Sequence, residues 1–245
     1  MIQKMFRFVS DRSRRRKIEM FYDIMRPRKD TLILDVGGEA GDAAGNKIQP
    51  NKQLIDSYPT KSNIVLINLF LPDVQRAQKA VPELKTVCGS GLQLPFADKS
   101  FDICYCNAVI EHVFNFENQR IFANEIMRVA KSWFVTTPNR WFPFEPHLRL
   151  PFVTWLPQSW QHKIGYKFGY LHLKKKYGSG ADRTDIALLS RRKMKQLFPT
   201  SRIIRNGVVG FTPTFVAYGG EILEATTGTV MPKPEEDYMR PIKAA

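Results

Sequence analysis

The chain has 245 residues, 43% of them hydrophobic, which is enough for one sizeable core and argues against intrinsic disorder. Its 37 lysines and arginines exceed its 23 acidic residues. The resulting formal net charge of +14 favours an anionic partner, such as nucleic acid, a membrane surface or a phosphate-bearing substrate. Charge alone carries no information on the fold, and a basic surface that only maintains solubility is an equally good interpretation.

The cysteines and the apolar segments indicate the cellular compartment in which the protein is expected. The chain has three cysteines, Cys88, Cys104 and Cys106, and this small, odd number does not suit a disulfide framework. It is consistent with a reducing cytosol. Without a second Cys or His cluster nearby, Cys104 and Cys106 are predicted as small buried residues, and no metal site is expected. No stretch reaches the roughly 18 apolar residues of a membrane span, and the N-terminus lacks a signal peptide's apolar segment. We therefore expect a cytoplasmic protein, with peripheral contact at a membrane as a further expectation.

Residues 1–30 are predicted to be a basic helical extension, in which residues 14–17 read Arg-Arg-Arg-Lys. A short amphipathic helix is expected over residues 13–26, because apolar residues recur there at helical spacing before Pro27. These apolar residues are Met20, Phe21, Ile24 and Met25.

Strands and helices then alternate along the chain. The strands are predicted over residues 31–36, 64–67, 86–88, 101–106, 133–136, 202–209 and 214–218. The helices are predicted over residues 50–58, 117–130 and 190–198, and residues 72–81 as a weak helix or a loop. The helix at 117–130 should bury one side, formed by Ile121, Phe122, Ile126 and Val129. This alternation predicts a mostly parallel sheet with helices on both faces, its strands ending at one common edge.

The first strand runs into a glycine-rich turn over residues 35–41, which read Asp-Val-Gly-Gly-Glu-Ala-Gly. Glycines there allow positive φ and a close approach of the backbone to a ligand. In an open α/β sheet the ligand lies beyond the carboxyl ends of the strands, where the strand order reverses. Many α/β proteins have such a turn, so alone it is a weak indication of a nucleotide-like cofactor.

A second block is more specific. Residues 89–102 contain the pattern Leu-Pro-Phe-x-Asp-x-Ser-Phe-Asp, residues 111–113 read Glu-His-Val, and residues 125–129 read Glu-x-x-Arg-Val. In this order and at this spacing, these elements resemble the type 11 group of class I S-adenosylmethionine-dependent methyltransferases. The resemblance covers about residues 31–140 and, more loosely, residues 188–218.

The resemblance implies an α/β fold: a Rossmann-like three-layer sandwich around a mostly parallel seven-stranded sheet with an antiparallel last strand. The methyltransferase domain is expected over residues 31–220, with an aromatic-rich insert at about 139–185 and a loose tail at 221–245. The implied cofactor is S-adenosyl-L-methionine.

The family's cofactor contacts carry over by position, and three of them depart from the usual pattern. Glu39 stands where the family often has a glycine, Asn68 where an acidic residue usually holds the ribose, and Ser90 where one lies beside the adenine. Neutral hydrogen bonds are worth about 0.5–1.5 kcal/mol against about 1.5–3 for charged ones, so weaker cofactor binding is expected. The candidate cofactor residues are Asp35, Gly37, Gly38, Glu39, Gly41, Asn68, Leu69, Ser90, Gly91 and Asn107.

Methyl transfer from a sulfonium requires mainly alignment of the acceptor and exclusion of water, and a base helps when the acceptor is a hydroxyl. His112 follows the fourth strand, and Glu145 and His147 follow the fifth, so these three are the candidate catalytic residues. The alternative for His112 is that it caps or packs at the start of the next helix.

The insert bears on the acceptor, because it holds Trp141, Trp155 and Trp160 of the chain's four tryptophans. It is interpreted as a lid over an apolar or flat acceptor, as a segment at a membrane interface, or as a satellite core under a long loop. Residues 106–109 lack the Asn/Asp-Pro-Pro-aromatic motif that resembles methyltransferases of nucleic-acid bases. The leading hypothesis is a small-molecule or lipid/glycan-intermediate acceptor. An RNA or protein methyltransferase, and a non-catalytic relative, are the alternatives.

Overall fold

The protein is described by a computed structural model. It covers residues 2–38, 53–145, 150–156, 160, 163–164, 186–208 and 211–221, with side chains for most of them from residue 12 onward. All statements below refer to these residues.

Seven strands form one sheet in the order β3-β2-β1-β4-β5-β9-β8. The strands are β1 (Ile33–Val36), β2 (Ile64–Asn68), β3 (Lys85–Cys88), β4 (Phe101–Asn107), β5 (Ala130–Pro138), β8 (Arg202–Val208) and β9 (Phe211–Gly220). Two short strands, β6 (Phe144–Glu145) and β7 (Leu150–Pro151), pair separately with each other. Neighbours in the large sheet are parallel except where β9 lies between β5 and β8, antiparallel to both. The predicted sheet, mostly parallel with an antiparallel last strand, is confirmed.

Five α-helices flank the sheet in the described part of the chain: α1 (Ile2–Met25), α2 (Gln53–Ser57), α3 (Leu71–Ala80), α4 (Phe116–Val129) and α5 (Arg191–Leu197). The N-terminal helix is longer than expected and begins at Ile2, because neither glycine nor proline interrupts the chain before Pro27. Ile121 of α4 was expected on the buried face, but it lies on the exposed one. None of these helices combines the length and apolar character of a membrane span.

The helices cover both faces of the sheet, which gives three layers. On one face α4 and α5 pack on the strands through buried residues that include Phe122, Ile126 and Met194. On the other face α1, α2 and α3 do so through residues that include Phe21, Leu54 and Ala77. Because both faces are covered, the central strands are apolar almost throughout, as expected for parallel strands.

The helix α1 lies against the centre of the sheet. The Phe21 ring meets the rings of Tyr105 on β4 and Phe134 on β5 edge to face, with centroid distances of 5.2 and 5.5 Å. Nearer its start, the Asn206 amide of β8 donates hydrogen bonds of 2.9 and 3.0 Å to the carbonyl and hydroxyl oxygens of Ser13. The helix is therefore an integral layer of the fold and holds its residues 13–25 at fixed positions on the sheet.

Replacement of Phe21 by alanine tests this role of α1. Phe21 is completely buried, so we expect Phe21→Ala to lower the free energy of unfolding by about 3–5 kcal/mol, measured by urea denaturation. Arg16→Ala changes an exposed residue of the same helix and should stay within about 0.5 kcal/mol of the wild type. Equal effects of the two substitutions would contradict the packing of α1 on the sheet.

Candidate active site

The carboxyl ends of three central strands lie side by side. Register pairs Val36 of β1 with Ile67 of β2 and with Cys106 of β4, so these strands end at one level. On the outer sides, Asn68 pairs with Cys88 of β3, and Asn107 pairs with Thr136 of β5. The strand order reverses between β1 and β4, and open α/β sheets bind their ligands at such a position.

The turn after β1 closes tightly over this edge. Gly37 has a φ of +73°, and its N–H donates a 2.8 Å hydrogen bond to the Ile67 carbonyl of β2. A Cβ at this position would lie 2.5 Å from a methyl carbon of Val109, and one on Gly38 would collide with the Asp35 carboxylate. Both glycines are thus required by close packing around the turn, and the buried Asp35 lies directly beneath it.

Asn68 joins this turn to the loop after β2. Its side-chain N–H donates to the Gly38 carbonyl at 3.0 Å, and its side-chain oxygen accepts from the Phe70 N–H at 3.0 Å. An ionised carboxylate at this position could accept from Phe70 but could not donate to Gly38. These two hydrogen bonds explain why an asparagine stands at position 68, where the sequence resemblance predicts an acidic residue.

The neighbouring loops add apolar and small residues to the edge. Leu69, Phe70 and Leu71 follow Asn68 with exposed side chains. The loop after β3 comes next, since the Gly89 N–H donates to the Asn68 carbonyl at 3.0 Å. There the Ser90 hydroxyl accepts from the Leu92 N–H at 3.1 Å, and a Cβ on Gly91 would collide with the Phe122 ring. The ends of β1, β2 and β3 thus form one continuous surface.

A group of buried polar side chains lies at the ends of β4 and β5. The Asn107 side-chain oxygen accepts hydrogen bonds of 2.7 Å from both Lys17 Nζ and the Thr136 hydroxyl. Beside it, the Thr137 hydroxyl donates to Glu111 at 3.0 Å. We call these five residues, all buried, the β4–β5 polar cluster.

Lys17 is the member of this cluster that the sequence did not indicate. The pKa of Lys17 is lowered from 10.5 to about 8, chiefly by burial and also by nearby Arg14, while Glu111 acts in the opposite direction. Because Lys17 belongs to the basic run at residues 14–17, the sequence alone favours a solvent-exposed side chain. The available signal was its spacing, because Lys17 lies four residues before the fully buried Phe21 and so on the same face of α1.

Of the three candidate catalytic residues, only His112 has a side chain in the described part of the chain, so their grouping stays a prediction. His112 is half-buried in a 3₁₀ turn after β4, with its backbone N–H bonded to the Val109 carbonyl. Glu145 belongs to β6, and its side chain is outside the described part, as is His147. The same holds for Glu39 and Gly41 of the glycine-rich turn.

The second sequence block folds as a scaffold around one arginine. Arg128 of α4 donates to the Phe96 and Leu94 carbonyls at 2.8 and 3.0 Å, and it pairs with Asp98 and Glu125 at 2.7 Å. Glu125 in turn accepts from the Leu94 N–H at 2.7 Å, and its pKa is lowered chiefly by Arg128. These contacts fix the loop after β3 against α4, and thereby hold residues 89–91 beside Asn68.

Comparison with known proteins agrees with this architecture. Residues 44–133 match a family model described as a methyltransferase domain of type 11. The central part of the chain, a little over a third of its length, therefore matches a methyltransferase domain of this type. S-Adenosyl-L-methionine is the cofactor that this match implies. No curated protein sequence matches it significantly.

Solved structures show the same fold at low sequence identity. The chain is similar to the PH0226 protein of Pyrococcus horikoshii, with 13% identity over 83% of this chain and 87% of that one, and a TM-score of 0.52. It is also similar to the methyltransferase domain of bacterial CtHen1, with 13% identity over 84% and 98% of the two chains and a TM-score of 0.50. At this identity the likeness describes the fold and not the acceptor.

The lowered pKa of Lys17 gives a test of its burial. Below pH 8 the folded protein carries a buried charge that the unfolded chain exposes to water, and this penalty disappears as the pH rises to 10.5. Lys17→Met removes the penalty. The stability of the variant relative to the wild type should therefore be highest below pH 8, and fall by about 3 kcal/mol by pH 10.5 in urea titrations.

Lys131→Met is the matched control, because a hydrogen bond with Asp102 raises the pKa of Lys131. That bond stabilises the protein below the ordinary lysine pKa and is lost as the pH rises through the raised one. The relative stability of Lys131→Met should therefore rise at alkaline pH, opposite in sign to Lys17→Met. A difference for Lys17→Met that does not change with pH would show that Lys17 is not buried as described.

Proposed function

We propose that this methyltransferase binds S-adenosyl-L-methionine along the ends of β1, β2 and β3 and transfers its methyl group to a small-molecule or lipid/glycan-intermediate acceptor near the end of β4. The turn at Gly37 and Gly38 would face the methionine part, Asn68 and Leu69 the ribose, and Ser90 and Gly91 the adenine. Asn107 would lie near the methyl group.

The residues at this edge suit the cofactor chemically. Asn68 and Ser90 offer hydrogen-bonding groups to ribose and adenine, and the exposed Leu69, Phe70 and Leu71 offer apolar contact to a flat base. The buried Asp35 supplies negative charge beneath the turn, which suits a ligand that carries an ammonium and a sulfonium. These features support the assignment of the edge to the cofactor.

When bound, the cofactor supplies an electrophilic methyl group on a neutral leaving group, so the protein has to align the acceptor and exclude water. The tight turn over β1 fixes one side of the site. On the other side, the hydrogen bonds of Asn107 to Lys17 and Thr136 fix its side chain and those of its neighbours. A hydroxyl or amine acceptor also requires a group that takes its proton.

The proposed class of acceptor rests on exposed aromatic side chains after β5. Trp141 and Trp160 expose 58% and 60% of their surface, and Phe152 and Trp155 are exposed as well. The Arg140 guanidinium lies 5.8 Å from the Trp141 ring centre, and the Phe152 and Trp155 rings meet edge to face at 4.8 Å. Large exposed rings beside basic groups fit an apolar acceptor with a polar or anionic end, including one held at a membrane surface. Peripheral membrane contact is part of the proposal on this basis.

A second candidate is an RNA or protein methyltransferase, favoured by the basic surface around α5. Arg191, Arg192 and Lys195 of the helix line a shallow groove together with Arg202 of β8. Such a surface suits a polyanion, and binding there would weaken steeply with salt. It is made of different elements from the exposed aromatic residues, so the two candidates can be separated experimentally.

Two asparagines at opposite ends of β2, Asn68 within the strand and Asn63 just before it, provide a matched test of the cofactor edge. Asn68→Ala removes hydrogen bonds at the carboxyl end of the strand, and we expect it to weaken S-adenosylmethionine binding about tenfold in calorimetry. Asn63 precedes the amino end of β2, where its amide donates to the Lys29 carbonyl at 2.9 Å. Asn63→Ala should leave the affinity unchanged. Equal losses in both variants would place the cofactor elsewhere.

The acceptor class can be identified by labelling. The purified protein is incubated with extract of its source cells and S-adenosylmethionine carrying a radioactive methyl group. We expect label in the organic-solvent or small-molecule fraction, and less of it with Trp141→Ala, which removes an exposed ring without touching the cofactor edge. Label that is released by ribonuclease, or that stays with protein, would support the second candidate and overturn the first.

A further inference from the structure

The position of Lys17 places an amine where the fold would put the reacting groups. Its Nζ lies 2.7 Å from the side-chain oxygen of Asn107, which ends β4, and Lys17 itself exposes only 7% of its surface. The two residues are 90 positions apart in sequence, and α1 brings them together through its packing on Tyr105 and Phe134.

The hydrogen bond to Asn107 alone does not account for a lysine here. The Asn107 oxygen already accepts a hydrogen bond from the Thr136 hydroxyl, so Lys17 is not needed to satisfy it. An apolar side chain of similar length would pack beside Phe21 without the cost of burying an amine. Buried ionisable groups that are costly to the fold are found preferentially at functional sites.

We propose that Lys17 is a catalytic residue, whose neutral amine takes the proton from the acceptor during methyl transfer. The proposal rests on the function proposed above. In this step the proton of the acceptor O–H or N–H passes to Lys17 Nζ, and the acceptor atom forms a bond to the methyl carbon. The carbon–sulfur bond breaks, and its electron pair remains on sulfur. The ammonium then releases its proton to solvent before the next turnover.

The surroundings of Lys17 suit this role. A general base is most effective when its pKa is near the working pH, and that of Lys17 is about 8. The charged groups around it are Arg14, on the same helix, and Glu111, in the turn after β4. Arg14 favours the neutral amine and Glu111 the ammonium, so the amine can both lose and regain a proton near neutral pH.

The charge difference between substrate and product cofactor gives a test that needs no acceptor. S-Adenosylmethionine carries a positive sulfonium, whereas S-adenosylhomocysteine carries a neutral thioether. If the amine faces the reacting sulfur, its pKa should be lower with the former by about one pH unit, as expected for a unit charge roughly 10 Å away at an effective dielectric constant of about 20. The pKa is followed by NMR of protein labelled with carbon-13 at the lysine ε positions.

Two controls accompany the titration. Lys17→Arg identifies the resonance of Lys17 by its loss. Lys131 lies at the start of β5, at the opposite edge of the sheet, and its pKa should be the same in both complexes. If both ligands bind and the pKa of Lys17 is also the same in both, the inference is wrong while the proposed function stands. If neither ligand binds, the proposed function fails, and this inference fails with it.

A second measurement separates proton transfer from positioning. Lys17→Arg keeps a hydrogen-bond donor for Asn107 but stays charged at all working pH values. With the labelled acceptor fraction as substrate, we expect both Lys17→Arg and Lys17→Met to lose at least about 100-fold in rate, with cofactor affinity changed less than about threefold. The wild-type rate should rise with pH to a plateau above pH 8. Recovery of the rate in Lys17→Arg would show that Lys17 only positions Asn107, and would overturn its role as a base.

Discussion

The edge-to-face packing of Phe21 on Tyr105 and Phe134 is the contact on which the rest of the site depends. It fixes α1 against β4 and β5, the two strands whose ends carry the β4–β5 polar cluster. Aromatic pairs of this kind are worth about 0.5–1.5 kcal/mol beyond the area they bury, and they also restrict the angle of the rings. The position of Lys17 one turn away therefore follows from the geometry of the core.

The sequence was sufficient for the sheet and for much of its edge. Alternating strands and helices, with right-handed crossovers, constrain parallel strands to end at one side, so Asn68 and Asn107 could be placed there from their positions alone. The hydrogen bonds of Asn68 to Gly38 and Phe70 could not be deduced, because they depend on how two loops meet. Lys17 was missed for the same reason, since its partner is distant in sequence. Ile121 shows the limit of helical periodicity, which does not tell which apolar residue lies at the border of the buried face.

The residues that identify the family and the residues that surround the reacting groups are largely different. The hydrogen bonds and ion pairs of Arg128 hold the loop after β3, whereas Lys17 contacts the end of β4. They explain why a distinctive sequence block accompanies this fold without specifying an acceptor. In the proposed function the acceptor side is formed instead by α1 and by the segment after β5, which carries exposed aromatic rings.

The hydrogen bond from Lys17 to Asn107 crosses the boundary of the region matched by the family model, which begins at residue 44. One of the two partners therefore belongs to the shared core and the other to the segment that precedes it. Under the proposed role of Lys17, the methyl donor is held by the matched core, and the group that prepares the acceptor comes from the helix that precedes it. A sequence comparison restricted to the matched region would therefore not include this residue.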